Sequence, residues 1–328
     1  MIRYLLVLRI NKPIVHLPPW LPAELSLVLG TLIAERIPVP RVRQWRKTLA
    51  VWDAIGGIHA FSKKTNWNTR PPAASWPIET VWFQYPGKRH YGSGERILLE
   101  FKILGKEADH GFFLETILPV LEAAGYRIDM PCHRPNSLWG HFEIQAVYVA
   151  KGRRWEPLVQ DGKLDLKYRA TATQWVEGMD SESPPPNRFR NLVWATPFDR
   201  VGSIGEDISE ASEEKALLPI PRLRDILDAS IKRIAAVLPE KRNDLDVFWK
   251  GIAPVLVEPL REAFDLAESI GLMTQKIVPP TRGLPGQGIG PVTFCQEIPE
   301  ILLPLLDIGA ILHVGSQTHI GCGTFYLT

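Results

Sequence analysis

Histidine is the side chain best able to take or give a proton near neutral pH, and this chain has eight of them. His59 stands out by its surroundings. It follows Gly56-Gly57-Ile58 and precedes Lys63 and Lys64, two cations able to hold a phosphate. His16 borders the Pro18-Pro19 turn and is a second candidate. His319 lies inside a glycine-rich tail, where contact with a ligand suits it better than the role of base. His90, His110, His133 and His141 have no flanking chemistry, and His313 ends an apolar stretch as a structural residue would. HxH, HExxH and HD pairs are all absent, so the histidines show none of the common metal-ligand spacings.

The tail is the most specific feature. Gly315, Gly321 and Gly323 surround Ser316, Gln317, Thr318 and His319 directly after a helical pattern. Glycines let backbone approach a ligand closely, and free N–H groups can cradle phosphate. The pattern is neither GxxxxGK[ST] nor GxGxxG, which argues against nucleotide hydrolysis and dinucleotide binding. A tight turn before a last strand fits the same residues.

A second feature is charge. Residues 36–70 carry eight Lys/Arg against the single acid Asp53, although the whole chain is only +2. A local basic stretch on a near-neutral protein suggests a docking site for a polyanion. Arg41, Arg43, Arg46 and Lys47 alternate with Trp45 and Trp52, and Lys63, Lys64 and Arg70 with Trp67. Cations bind phosphates, and tryptophan rings can stack on unpaired bases. A solvated face with its tryptophans anchored in the core fits the same spacing.

These residues must be held by a scaffold. At 328 residues, 45% hydrophobic and 23% charged, the chain reads as one large or two ordinary globular domains. No apolar run reaches the ~18 residues of a membrane helix, and residues 1–10 are too short and too alternating for a signal peptide. The three cysteines, Cys132, Cys295 and Cys322, are far apart, so a reducing cytoplasm is expected and a disulfide framework is not.

Residues 2–10 alternate, with Ile2, Tyr4, Leu6, Leu8 and Ile10 on one face. A helix is expected over 21–36, a weakly placed strand near 80–85, and a strand over 96–104 facing inward through Ile97, Leu99, Phe101 and Ile103. A helix follows over 111–124, kinked at Pro119 and capped by Gly125. The next strand, 141–149, presents Phe142, Ile144, Ala146 and Tyr148. This is the order of the split βαβ, ferredoxin-like plan. The Ser-Pro-rich run 180–187 reads as a linker, giving domains 1–183 and 188–328. The second carries a strand at 192–195 and an exposed acidic loop over 199–215. It continues with a helix over 223–238, a helical region over 245–269 interrupted by Pro254 and Pro259, extended pieces over 271–294 and a helix over 300–312. Arg222, Arg224, Lys232 and Arg233 form the polar face of the first of these helices.

The run from Pro299 to Leu327 resembles the C-terminal signature of the CRISPR pre-crRNA-processing endoribonucleases of the RAMP superfamily. Gly92-Ser93-Gly94-Glu95-Arg96 with its strand and helix, Gly140 to Val149, Leu192 to Pro197, and His16 to Arg36 are similar to further segments of that family, in the same order. The resemblance implies two tandem ferredoxin-like (RRM-like, RAMP) domains, α+β throughout. It implies binding of a CRISPR repeat RNA stem-loop, with other subunits of a CRISPR effector complex as further partners and no cofactor. It implies cutting by attack of the 2′-hydroxyl, leaving a 2′,3′-cyclic phosphate and a 5′-hydroxyl. A base, an acid and a phosphate-binding cation are needed, and His59, Lys63 and His16 are the candidates. RNA contact is expected from Arg41, Arg43, Arg46, Lys47 and Lys64 and from the loop Gly315, Ser316, Gln317, Thr318, His319, Gly321 and Gly323. Two departures stand out. The basic residue usual after the family's first loop glycine is replaced by Ser316-Gln317, and the first-helix histidine by Thr31. An inactive subunit that grips the repeat handle is the alternative reading.

Overall fold

A computed structural model describes residues 1–53, 76–129, 134–177, 188–199, 201, 220–238, 245–281 and 284–328. They divide into two compact units, Met1–Ser183 and Pro184–Thr328. His59, Lys63, Lys64, Trp67, His133 and the linker 180–187 lie outside the described residues, as does most of the acidic loop.

The first unit is built on β1 (Ile2–Ile10), with the short β2 (Val15–His16), then β3 (Thr80–Gln84), β4 (His90–Tyr91), β5 (Arg96–Ile103), β6 (Phe142–Lys151), β7 (Arg154–Gln160) and β8 (Lys163–Leu164). The main sheet runs β3-β5-β1-β6-β7-β8, and every neighbouring pair is antiparallel. Its first four members have the ferredoxin-like order, with the first strand between the third and fourth. Period-two alternation decides which way β1 faces: Tyr4, Leu6, Leu8 and Ile10 are fully buried. β5 answers with Ile97, Leu99, Phe101 and Ile103 in register, Tyr4 opposite Phe101 and Leu6 opposite Leu99.

Two expectations for this unit are corrected. β6 does not keep one face. Opposite β1 its register slips at Gln145, so Val147 and Val149 are buried beyond the slip where Tyr148 was expected. The helix over 111–124 is a single α-turn His110–Phe112, a π-turn Phe113–Ile117 and an α-helix Leu118–Tyr126. Pro119 has no N–H for the normal ladder, and the wider turn lies directly before it. Gly125 is not the cap, since the helix runs on to Tyr126. A Cβ at Gly125 would strike the Phe142 carbonyl oxygen, so the glycine is there for close approach to β6.

One helix covers the sheet at its β3 side, and a second packs on that helix. The first, α1 (Leu21–Arg36), begins at a proline in its first turn and is buried nearly all round. The second, α2 (Val39–Asp53), packs on α1: a Cβ at Gly30 would sit 3.1 Å from Leu49 and 3.0 Å from Trp76. Trp76 Nε1 donates to the Ser26 carbonyl at 2.9 Å, tying the segment before β3 to α1.

The second unit repeats the plan with β9 (Asn191–Phe198), β10 (Leu272–Gln275), β11 (Gly288–Phe294) and β12 (Phe325–Leu327), in the order β10-β11-β9-β12 and again antiparallel. Its helices are Leu223–Val237, Leu245–Gly251, Pro254–Ser269 and Leu303–Leu312. Pro254 opens a helix, whereas Pro259 lies inside one. Trp194, Phe198, Leu223, Ile226, Leu227, Phe264, Phe294 and Leu306 share one core. The chain is therefore two tandem ferredoxin-like units.

Candidate nucleic-acid interface

The described part of the basic stretch, α2, is an amphipathic helix. Trp45, Leu49 and Trp52, spaced i, i+4, i+7, are buried at 4%, 8% and 2% exposure. Arg41, Arg43, Arg46 and Lys47 are exposed. The expectation that Trp45 and Trp52 stack on bases is corrected. Trp45 packs at 5.2 Å from Trp76, and Trp52 is almost fully enclosed. The spacing of Trp45, Leu49 and Trp52 is that of a core-facing stripe, and the cations face solvent.

His16 is on the exposed side of a two-residue ladder. β2 pairs with β4 so that His16 stands opposite His90, and the rings meet edge to face at 4.6 Å. Both imidazoles are exposed. The ladder is pinned from both sides: His16 N–H donates to the Asn136 carbonyl at 2.6 Å, and Leu17 N–H to the Arg89 carbonyl at 2.8 Å. Lys12 joins the same edge, with Nζ bonded to the Pro135 carbonyl and 3.1 Å from His141 Nε2. Beneath it, Trp139 Nε1 donates to the buried Glu24 carboxyl of α1. Burial pushes that carboxyl above the usual range, against the pull of the Trp139 hydrogen bond and the Arg134 charge.

The glycine-rich loop is a folded plug and not an open cradle. Gln317, Thr318 and His319 are only 8%, 9% and 6% exposed, and Gly321 and Gly323 are buried. The N–H groups of Ser316, Ile320, Gly321, Cys322 and Gly323 are all given to carbonyls of this unit: Asp199, Gln317, Thr318, Gln317 and Pro197 in turn. These donors are spent inside the protein, so they offer nothing to a phosphate. Gly315, Gly321 and Gly323 have φ of 89°, 86° and 83°, the left-handed region, and Gln317 joins them at 57°. The buried Asp199 carboxylate organises the turn, accepting from Ser316 Oγ and from Gln317 Nε2 at 3.1 Å. Asp199, expected at the start of an exposed acidic loop, is instead buried, because nothing in the Thr196-Pro197-Phe198-Asp199 run marks a partner 117 residues on.

Two arginines of the helix Leu223–Val237 are also occupied. Arg224 Nε binds Asp228 at 3.1 Å, and its guanidinium lies 5.3 Å over the Phe264 ring. Arg233 Nε donates to the Leu312 carbonyl. Among the described residues no cluster of three His, Cys, Asp or Glu is placed to hold a metal ion, and no helix is long and apolar enough to cross a membrane.

No family model matches the chain, and no curated protein does. The solved structures it is similar to include Cas6 proteins. A Cas6 product complex is 15% identical at a TM-score of 0.46, with both chains covered in full. A partial Cas6-RT-Cas1–Cas2 complex is 12% identical at 0.49, over 100% of this chain and 45% of that one. A RAMP protein binding different RNA substrates is 11% identical at 0.38, again over both full chains. Likeness at this level speaks only to the course of the backbone, which the strand order above already establishes by itself.

Proposed function

We propose that this chain is a RAMP-superfamily endoribonuclease that binds a CRISPR repeat RNA and cuts it without metal. The observation that carries the reading is α2. A helix nailed down by Trp45, Leu49 and Trp52 turns Arg43, Arg46 and Lys47 outward together, on the first of two ferredoxin-like units. Rigid cations on one face suit a sugar–phosphate backbone, which supplies the sequence-independent part of affinity.

The chemistry needs only side chains. A base removes the proton of the 2′-hydroxyl beside the scissile phosphate. The freed oxygen bonds to phosphorus as the bond to the 5′ oxygen breaks, and an acid gives that oxygen its proton. A cation stabilises the crowded phosphate. His16, exposed and held on its ladder, is the candidate among the described residues. His59 and Lys63 are the candidates of the segment 54–75.

The second reading, a subunit that grips the repeat handle without turnover, is favoured by Thr31. It stands in the first helix where the family's histidine would be, and its hydroxyl is tied to the Leu27 carbonyl at 2.9 Å. One experiment separates the two. Purified protein mixed with its cognate repeat RNA in EDTA is expected to leave a cyclic phosphate end. Tight binding with intact RNA rejects the enzyme and favours the gripping subunit.

A further inference from the structure

We propose that His90 is the second proton-transfer group of the cutting reaction, acting with His16 across the β2–β4 ladder. This rests on the function proposed above and names its acid–base pair. Three observations carry it. The two rings are 4.6 Å apart and both exposed, so one phosphodiester laid along the ladder reaches both. The ladder is fixed at four points: the two inter-strand partners, the Asn136 carbonyl and the Arg89 carbonyl. Exposed cations flank it, with Arg89 next in sequence to His90 and Arg134 on the segment that supplies Asn136 and Pro135.

Structure alone gives little reason for such a pair. Val15 and Tyr91, the neighbouring residues of the same two strands, are buried and already supply the ladder's packing. Two imidazoles on the solvent side add no core. They do supply a general base and a general acid, which this transesterification requires in one place. The neutral ring takes the 2′-hydroxyl proton while the oxygen bonds to phosphorus. The protonated ring gives its proton to the departing 5′ oxygen. The cyclic phosphate and the 5′-hydroxyl result, with each imidazole left in the other's starting state.

The test uses the full chain and a synthetic repeat RNA under single-turnover conditions in EDTA. His16→Ala and His90→Ala are each expected to slow cutting by ~10²-fold or more, with RNA affinity within about twofold of the unaltered protein. The pH–rate profile should be bell-shaped and lose one limb in each variant. Imidazole added to the buffer should restore part of the His90→Ala rate, which a merely structural loss would not allow. His90→Asn, whose side chain keeps a polar amide, should be as slow as the alanine variant. An unaltered rate in His90→Ala, or a loss confined to His59→Ala, overturns the pair and leaves the proposed function standing. No cutting by the unaltered protein overturns both.

Discussion

Val314 and Gly323 clasp each other across the tail turn. The Val314 N–H donates to the Gly323 carbonyl at 2.9 Å, while the Gly323 α-carbon lies against the Val314 carbonyl with no room for a Cβ. Gly323 also holds φ at 83°, where an L side chain is strained. The contact closes the loop between the last helix and β12.

Gly323→Ala should therefore destabilise the protein by at least about 2 kcal/mol, since strain and clash act together. Gly94 is the control. Its φ is 84°, but nothing lies near its Cβ position, so Gly94→Ala should cost only about 1 kcal/mol. Urea unfolding of the two variants measures the difference. Equal losses would mean that the Val314 contact is not what the glycine serves.

Asp199→Asn keeps the shape but sets an amide N–H₂ where a carboxylate oxygen accepts from Ser316 and Gln317. A loss of about 1.5–3 kcal/mol is expected, as for a hydrogen bond to a charged group. Ser316→Ala should cost less, because Gln317 stays bound. Denaturant midpoints decide the order of the two.

Glu100 makes the stability fall in acid. Burial by itself would raise its carboxyl, but Lys102 and Arg3, the latter at 2.7 Å, with a hydrogen bond from Tyr85, outweigh this and hold it below the usual carboxylate range. A depressed native value gives stability that is complete above the unfolded carboxylate value, about 4.3, and is lost as pH falls through the native one. Glu100→Gln should flatten the stability curve in that acid window. An unchanged slope would show that other carboxylates govern it.

Glu24 has the opposite sign. Its raised carboxyl favours the protonated form in the folded state, so folding is opposed once pH rises above the unfolded value. Glu24→Gln, which can still accept from Trp139 through its amide oxygen, should be more stable than the unaltered chain at pH 7. Lower stability at pH 7 would place the ionised carboxylate in a role that the Trp139 contact does not explain.

On α2, charge and packing separate cleanly. Arg43→Ala with Arg46→Ala should weaken RNA binding and reduce the slope of log affinity against log salt by about 1.4 to 1.8, two phosphate contacts' worth. Trp45→Ala should cost about 3–5 kcal/mol of stability as a buried large side chain. Salt titrations and unfolding curves read the two effects independently.

The strands legible in the sequence were those whose one face is buried. Period-two alternation over 2–10 and 96–103 decided both the elements and their inward residues, because a one-residue slip would expose the whole apolar set. The first helix and the breaks at Pro119 and Pro254 were legible for the same local reason. The ferredoxin-like order followed from their sequence. Tertiary structure decided the rest. Whether a tryptophan faces RNA or core depends on what packs over it, and here Trp76 and α1 do. Whether loop N–H groups are free depends on carbonyls from Pro197 and Asp199, more than a hundred residues away. The His16–His90 pairing lives in strands two residues long, too short for any periodicity to reveal. Local pattern fixes local conformation, whereas partners distant in the chain are chosen only when the fold brings their surfaces together.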